Sequence, residues 1–194
     1  TDDEELYHIL LTIRAHGWTR NLPKENQVAR IDGDDFYESF RFVLPGYNVR
    51  PVEMSGAIGV EQLKKLPNFI DHRRKNAVIL FEIFDDLPFI QLQKEIGCSS
   101  WFGFSLVLKE GSPISRDQLI ALFKEKNIEC RPIVTGNFLK NTDVLEYFDY
   151  EVAGTVENAE YIDQHGLFVG NQHIDMSAEI HYLHESIIDL LKQG

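Results

Sequence analysis

Residues 45–51 run Pro45-Gly46-Tyr47-Asn48-Val49-Arg50-Pro51, and residues 53–59 follow as Glu53-Met54-Ser55-Gly56-Ala57-Ile58-Gly59. Two prolines and a glycine set a turn, because proline pre-sets φ and glycine accepts conformations that other residues avoid. Glu53 and Ser55 then open a helix. Its apolar residues, from Met54, Ala57 and Ile58 through Leu63, Leu66, Ile70, Ala77 and Leu80 to Phe81 and Phe84, keep helical spacing. The pattern predicts one long helix over 53–85, with a break near Pro67. Asn48 and Arg50 then stand beside a helix N-terminus, where free backbone N–H groups favour an anion. The same residues suit an ordinary capping turn equally well, and spacing does not choose between the two.

Upstream of the turn, residues 2–16 read as an amphipathic helix with Leu6, Ile9, Leu10 and Ile13 on its apolar face and Gly17 as its stop. Thr1 and Glu4 have capping-box spacing, and the acids of Asp2-Asp3-Glu4-Glu5 suit the positive end of the helix dipole. The chain does not open on Met, so a truncated or processed piece of a longer protein is expected. Residues 17–50 form a connection too long to be a simple loop. Phe36, Tyr37, Phe40 and Phe42 argue that it is ordered, since disordered segments are poor in aromatics.

Downstream of residue 85 the pattern alternates. A strand is expected over Trp101–Lys109, with Phe102, Phe104, Leu106 and Leu108 on one face. A helix capped by Ser115 runs to Lys126, and Ile128–Val134 reads as a strand. Helices over Val144–Phe148 and Val156–Asp163, a short strand over Gly166–Gly170 and a closing helix over Ser177–Lys192 complete an α/β arrangement.

The 194 residues, 43% hydrophobic and 26% charged, have an ordinary globular balance. A formal net charge of -12 argues against a nucleic-acid surface, which needs clustered Lys and Arg. No apolar run is long enough to span a membrane, and no signal peptide opens the chain. Two isolated cysteines, Cys98 and Cys130, make neither a disulfide framework nor a zinc site, so a cytoplasmic, reducing setting is expected. Seven histidines occur without HExxH spacing or an accompanying carboxylate pattern, so no metal site is expected.

Glu129 and Arg131 fall on one face of the expected strand, with Ile128 and Cys130 on the other. At a strand end before Pro132 and the Thr135-Gly136-Asn137 loop, the pair can bind a polar ligand. Arginine suits carboxylates and phosphates through its planar fork. The plainer alternative is a surface ion pair. The basic run His72-Arg73-Arg74-Lys75 reads as a solvated helix face.

Beyond this point a resemblance adds what spacing does not. Arg14-Ala15-His16-Gly17, the 45–50 turn, Glu53–Gly59 and Gln62-Leu63, in this order, resemble the DegT-type sugar aminotransferase family of fold-type-I pyridoxal-phosphate enzymes. The resemblance covers essentially the whole chain. Ser100–Phe104, Arg131–Phe138 and Phe168–Asn171 resemble the sugar 3-dehydratase branch of the family, and this closer resemblance implies GDP-4-keto-6-deoxy-D-mannose as the substrate.

The resemblance implies the C-terminal part of a type I PLP-dependent transferase fold. Residues 1–52 would be a remnant of the large cofactor-binding domain with an interface loop, 53–85 a connecting helix, and 86–194 a small C-terminal α/β domain. It implies pyridoxal 5′-phosphate or pyridoxamine 5′-phosphate as cofactor, with Asn48 reaching the cofactor phosphate of a partner subunit in a homodimer with shared active sites. Phe40, Arg50, Glu129 and Arg131 become the substrate-binding candidates, for a nucleotide sugar and for glutamate as amino donor. The catalytic base is expected upstream of Thr1, as histidine in a dehydratase or lysine in a 4-aminotransferase. No iron–sulfur cluster is expected, because Trp18–Pro23 holds no cysteine. The implied pathway is that of a 3,6-dideoxysugar such as colitose, for lipopolysaccharide O-antigen. A sugar 4-aminotransferase and a non-catalytic fragment that dimerises or binds sugar nucleotide are the alternatives.

Overall fold

In the computed structural model, which describes residues 1–30 and 33–193, the first helix, α1 (Glu4–Ile13), is capped by Asp3. The Asp3 side chain accepts the Leu6 N–H at 2.9 Å, and Glu4 and Glu5 fill the first turn. Thr1, the expected cap, instead accepts the Asp3 N–H, because the helix begins too late for a cap at Thr1. The expected apolar face is not the buried one. Leu6 and Leu10 are 44% and 45% exposed, whereas His8 and Thr12 are buried. The loop that follows explains this, since its Gln27 N–H donates to His8 Nδ1, while within the helix the Thr12 hydroxyl donates to the His8 carbonyl.

The long connection after α1 is ordered mainly by backbone crossings. Ala15 bridges to Asn48 and Trp18 to Phe42, both antiparallel, and a four-residue helix, α2 (Asp35–Glu38), interrupts the span. The crossing is too tight for side chains. A Cβ on Gly17, whose φ is 87°, would lie 1.6 Å from the Leu44 carbonyl oxygen, and one on Gly46 would lie 2.3 Å from the Gly17 nitrogen. Trp18 stacks on Phe40 and Phe42 at 5.5 and 5.9 Å and donates its indole N–H to Ser39.

The residues form two compact units, Thr1–Leu63 and Lys64–Gly194, and the division falls within α3 (Glu53–Ile83). This helix is continuous through Pro67, where a break was expected. The missing Pro67 N–H leaves the Leu63 carbonyl without its helical partner, but residues 61–68 are exposed, so water can serve it. The basic run near its end is not merely a solvated face. Arg73 donates to the Phe102 carbonyl at 3.3 Å and Arg74 to the Ser99 carbonyl at 2.9 Å, tying down the segment before the second strand.

The Lys64–Gly194 unit holds an antiparallel sheet of order β1-β2-β4-β3: β1 (Ile90–Leu92), β2 (Gly103–Leu108), β3 (Cys130–Arg131) and β4 (Gly166–Gly170). Phe104, Leu106 and Leu108 of β2 and Leu167 and Val169 of β4 face the core. Against them pack Ala77 and Leu80 of α3, Phe84 just after it, Leu119 and Phe123 of α4 (Arg116–Glu125), and Ile180, Leu183 and Ile187 of the closing helix. Ser115 caps α4 through a complete capping box with Gln118. Helices α5 (Thr142–Leu145), α6 (Glu157–His165) and α7 (Ser177–Gln193) follow.

Two strand expectations change, and one strand, β1, was not expected. β1 is three residues long, too short to show alternation. The expected Ile128–Val134 strand pairs only at Cys130 and Arg131, because Pro132 has no N–H to offer and Val134 takes a positive φ. Phe102 leaves the core face that was expected for it and is 67% exposed, because Trp101, with φ 53°, turns the chain just before β2.

Candidate functional site

β3 and β4 carry Arg131 and Phe168 as directly paired residues, so both side chains stand on the sheet face away from the core. The Arg131 guanidinium lies 4.8 Å from the centre of the Phe168 ring and 5.5 Å from that of Phe102. The two rings are roughly parallel, 5.9 Å apart. Among the described residues no acid pairs with Arg131, so the surface ion pair with Glu129 is not formed. Arg73 also lies over the Phe102 ring, at 5.7 Å. These residues border an open cavity of about 580 Å³, which Glu129, Cys130, Asn171 and Tyr182 also line. Burial pushes the Cys130 thiol above its ordinary pKa, and the Glu129 charge pushes it further, so the thiol stays protonated and inert at neutral pH.

Beneath this site lies a buried pair of amides. Asn171 donates to the Trp101 carbonyl at 2.9 Å and to the Arg73 carbonyl at 3.0 Å. Asn76, on α3, donates to Asn171 Oδ1 at 2.9 Å and accepts the Met176 N–H at 3.1 Å. The amides thus fasten the turn before β2, the end of β4 and α3 to one another. Polar groups this buried are tolerated because each finds a partner.

The loop after Arg131 is tied down separately. Asn137 donates to Glu160 at 3.0 Å, and Lys140 reaches Glu160 at 2.8 Å and Asp163 at 2.6 Å. The Lys140 ammonium, helped by the Asn137 and Gln164 amides, holds the Glu160 carboxyl down to about 2.

Phe40, Asn48 and Arg50 lie in the Thr1–Leu63 unit. Phe40 is largely exposed and rests one face on Trp18. The Asn48 backbone is clamped by its bridge to Ala15 and by the neighbouring bonds from His16 to Tyr47 and from Val49 to Arg14, while its side chain is exposed. Asn48 therefore presents an exposed side-chain amide from a fixed backbone position. Arg50 is exposed as well.

Of the sequence candidates, Glu129 and Arg131 share one cavity. Phe102, Phe168, Arg73, Asn76 and Asn171 were not among the candidates. For Phe168 a signal existed: it is an outward aromatic between the inward Leu167 and Val169. For Phe102 the period-2 pattern pointed the wrong way.

The DegT/DnrJ/EryC1/StrS aminotransferase family model matches residues 1–180. The GDP-4-keto-6-deoxy-D-mannose 3-dehydratase of Yersinia pseudotuberculosis is 63% identical over 194 residues, which is 100% of this chain and 48% of that protein. A solved Escherichia coli GDP-4-keto-6-deoxy-D-mannose-3-dehydratase with bound hydrated PLP aligns at a TM-score of 0.85 and 64% identity, covering 96% of this chain and 48% of that one. A histidine-to-asparagine variant of GDP-4-keto-6-deoxymannose-3-dehydratase (ColD), solved with bound GDP-perosamine, aligns equally well, at a TM-score of 0.85 and 64% identity over 96% of this chain and 49% of that one. This chain spans about half the length of the curated relatives it matches most fully. Its sequence throughout, and the fold it adopts, make the chain a member of the DegT/DnrJ/EryC1/StrS aminotransferase family.

Proposed function

We propose that this chain is the C-terminal part of a pyridoxamine-phosphate-dependent 3-dehydratase of GDP-4-keto-6-deoxy-D-mannose, serving the synthesis of a 3,6-dideoxysugar such as colitose for O-antigen. One observation carries the reading: the Arg131 guanidinium lies over two neighbouring rings at the edge of an open cavity and has no acid partner among the described residues. Such a fork is suited to the carboxylate of glutamate, the amino donor. Glu129, on the same rim, can accept hydrogen bonds from the donor or from a sugar hydroxyl. Identity of 63–64% along the chain to proteins named as this 3-dehydratase supports the substrate. A relative solved with GDP-perosamine supports a GDP-linked sugar.

The bound cofactor supplies the electron sink that lets the C3 hydroxyl leave. This chain's part is to hold and orient. The exposed amide of Asn48, fixed by its backbone ladder, fits a donor to the cofactor phosphate of a partner subunit. Phe40 and Arg50 belong with it on a surface that serves the neighbouring site of a homodimer. The division into a large-domain remnant (1–52), a connecting helix (53–85) and a small domain (86–194) accords with this reading. A 4-aminotransferase would share the same arrangement but fits the relatives' names less well.

The test uses the full-length enzyme. Arg131→Lys keeps the charge and loses the fork. A charge-assisted hydrogen bond contributes about 1.5–3 kcal/mol, so glutamate-driven amination of the cofactor should fall by about ten- to a hundredfold while the protein remains folded. An unchanged glutamate half-reaction would show that Arg131 is only structural.

A further inference from the structure

We infer that Phe102 and Phe168 are positioning residues that aim Arg131, and that the buried Asn76–Asn171 pair is the brace that keeps Phe102 in place. The inference rests on the reading of Arg131 as the carboxylate-binding group.

An arginine on an open sheet face has many rotamers, and freezing them on binding weakens affinity. Two neighbouring rings beside one guanidinium remove much of that freedom beforehand and restrict where the fork can point. The chain accepts several local disadvantages to put the rings there. Phe102 leaves most of its surface in water rather than joining the core. Trp101 adopts a left-handed φ of 53°, a strained conformation for a bulky residue, and it is this turn that swings Phe102 outward. The Asn171 amide, itself fixed by Asn76, holds the Trp101 carbonyl in that turn. At Gly103 a Cβ would lie 2.1 Å from the tip of the Phe168 ring, so the glycine leaves room for the ring to lie across the strand. Strain, exposure, a missing side chain and a buried amide pair converge on the same two rings, and the same turn seats Trp101 in the core.

The experiment uses the full-length enzyme and compares Phe102→Leu, Phe102→Tyr, Asn171→Ala and Arg131→Lys. Phe102 is exposed, so its variants should fold even if Asn171→Ala does not. Two dependences are measured: cofactor amination against glutamate concentration, and dehydration against sugar-nucleotide concentration. Calorimetric titration with glutarate, a dicarboxylate that cannot donate an amine, adds a direct binding readout. The expected result for Phe102→Leu is a rise of about fivefold or more in half-saturating glutamate and in the glutarate Kd, with the sugar-nucleotide dependence unmoved. Phe102→Tyr, which keeps a π face, should recover parental values. If Phe102→Leu binds glutamate as the parent does while Arg131→Lys is impaired, the clamp is overturned and the Arg131 reading stands. If Arg131→Lys is itself unimpaired, that reading falls first. Equal weakening toward both substrates, or a shift confined to the sugar nucleotide, overturns the assignment as well.

Discussion

At the scale of single residues, the network around Lys140 links charge to the shape of the loop after Arg131. Glu160 has its pKa lowered from 4.5 to about 2, chiefly by the Lys140 hydrogen bond, and Asp163 is lowered by the same ammonium. A carboxyl whose folded pKa is depressed contributes stability above its unfolded pKa and loses it as pH falls through the folded one. The contribution of this network should therefore be complete above about pH 4.5 and vanish toward pH 2. Lys140→Met removes the cause. The Tm difference between the parent and Lys140→Met, present at pH 7, should shrink steadily over that window. A difference independent of pH would mean that Lys140 acts by packing alone. Because both acids are solvated, high salt should reduce the difference at neutral pH too.

At the scale of elements, α4 shows local sequence and tertiary packing in agreement. Ser115 and Gln118 satisfy each other's backbone N–H groups, and Leu119 and Phe123, one turn apart, are fully buried. Ser115→Ala should destabilise the protein by about 1 kcal/mol, readable as a lower midpoint in denaturant unfolding with an unchanged slope. An unchanged midpoint would show that packing of Leu119 and Phe123 alone holds the helix start. The contrast is α1, where the apolar periodicity was just as clear but the loop between Gly17 and Arg30 covered the polar side instead. Periodicity identifies a helix with two different faces, but the rest of the fold decides which face is covered.

At the scale of the whole molecule, the apolar residues of α3 divide. Ala77 and Leu80 are buried, while Met54, Ile58 and Leu63 are exposed. The chain spans about half of its curated relatives, and the exposed half of the stripe is where further protein is expected to pack. The proposed chemistry also extends to the full-length protein. A 4-aminotransferase uses a lysine to hold its cofactor and move the proton, whereas a 3-dehydratase must keep the aminated cofactor free to eliminate water. Histidine moves a proton near neutral pH without forming a stable covalent link. The full-length protein is therefore expected to carry histidine at the family's lysine position. Replacement of a histidine in solved relatives, by asparagine in one and by lysine in another, accords with this. Its substitution by lysine should suppress dehydration. A native lysine there would favour the aminotransferase.

The sequence by itself determined the features whose causes lie within a few residues. These are the Ser115 cap and the helix behind it, the strand over Gly166–Gly170, the closing helix from Ser177, and the nearness of Glu129 to Arg131 on the lining of one cavity. Each follows from a period, a cap or a turn residue that can be read locally. Family membership was also legible, through the turn at 45–50 and the residues after it. Tertiary structure decided the rest. It turned Phe102 away from the core, joined Asn76 to Asn171 across 95 positions of sequence, and gave Arg131 two rings in place of an acid. Such contacts join residues far apart in the chain and leave no periodic signature. Which partner a polar side chain finds is settled only when the sheet brings distant strands together and burial demands that every amide be satisfied.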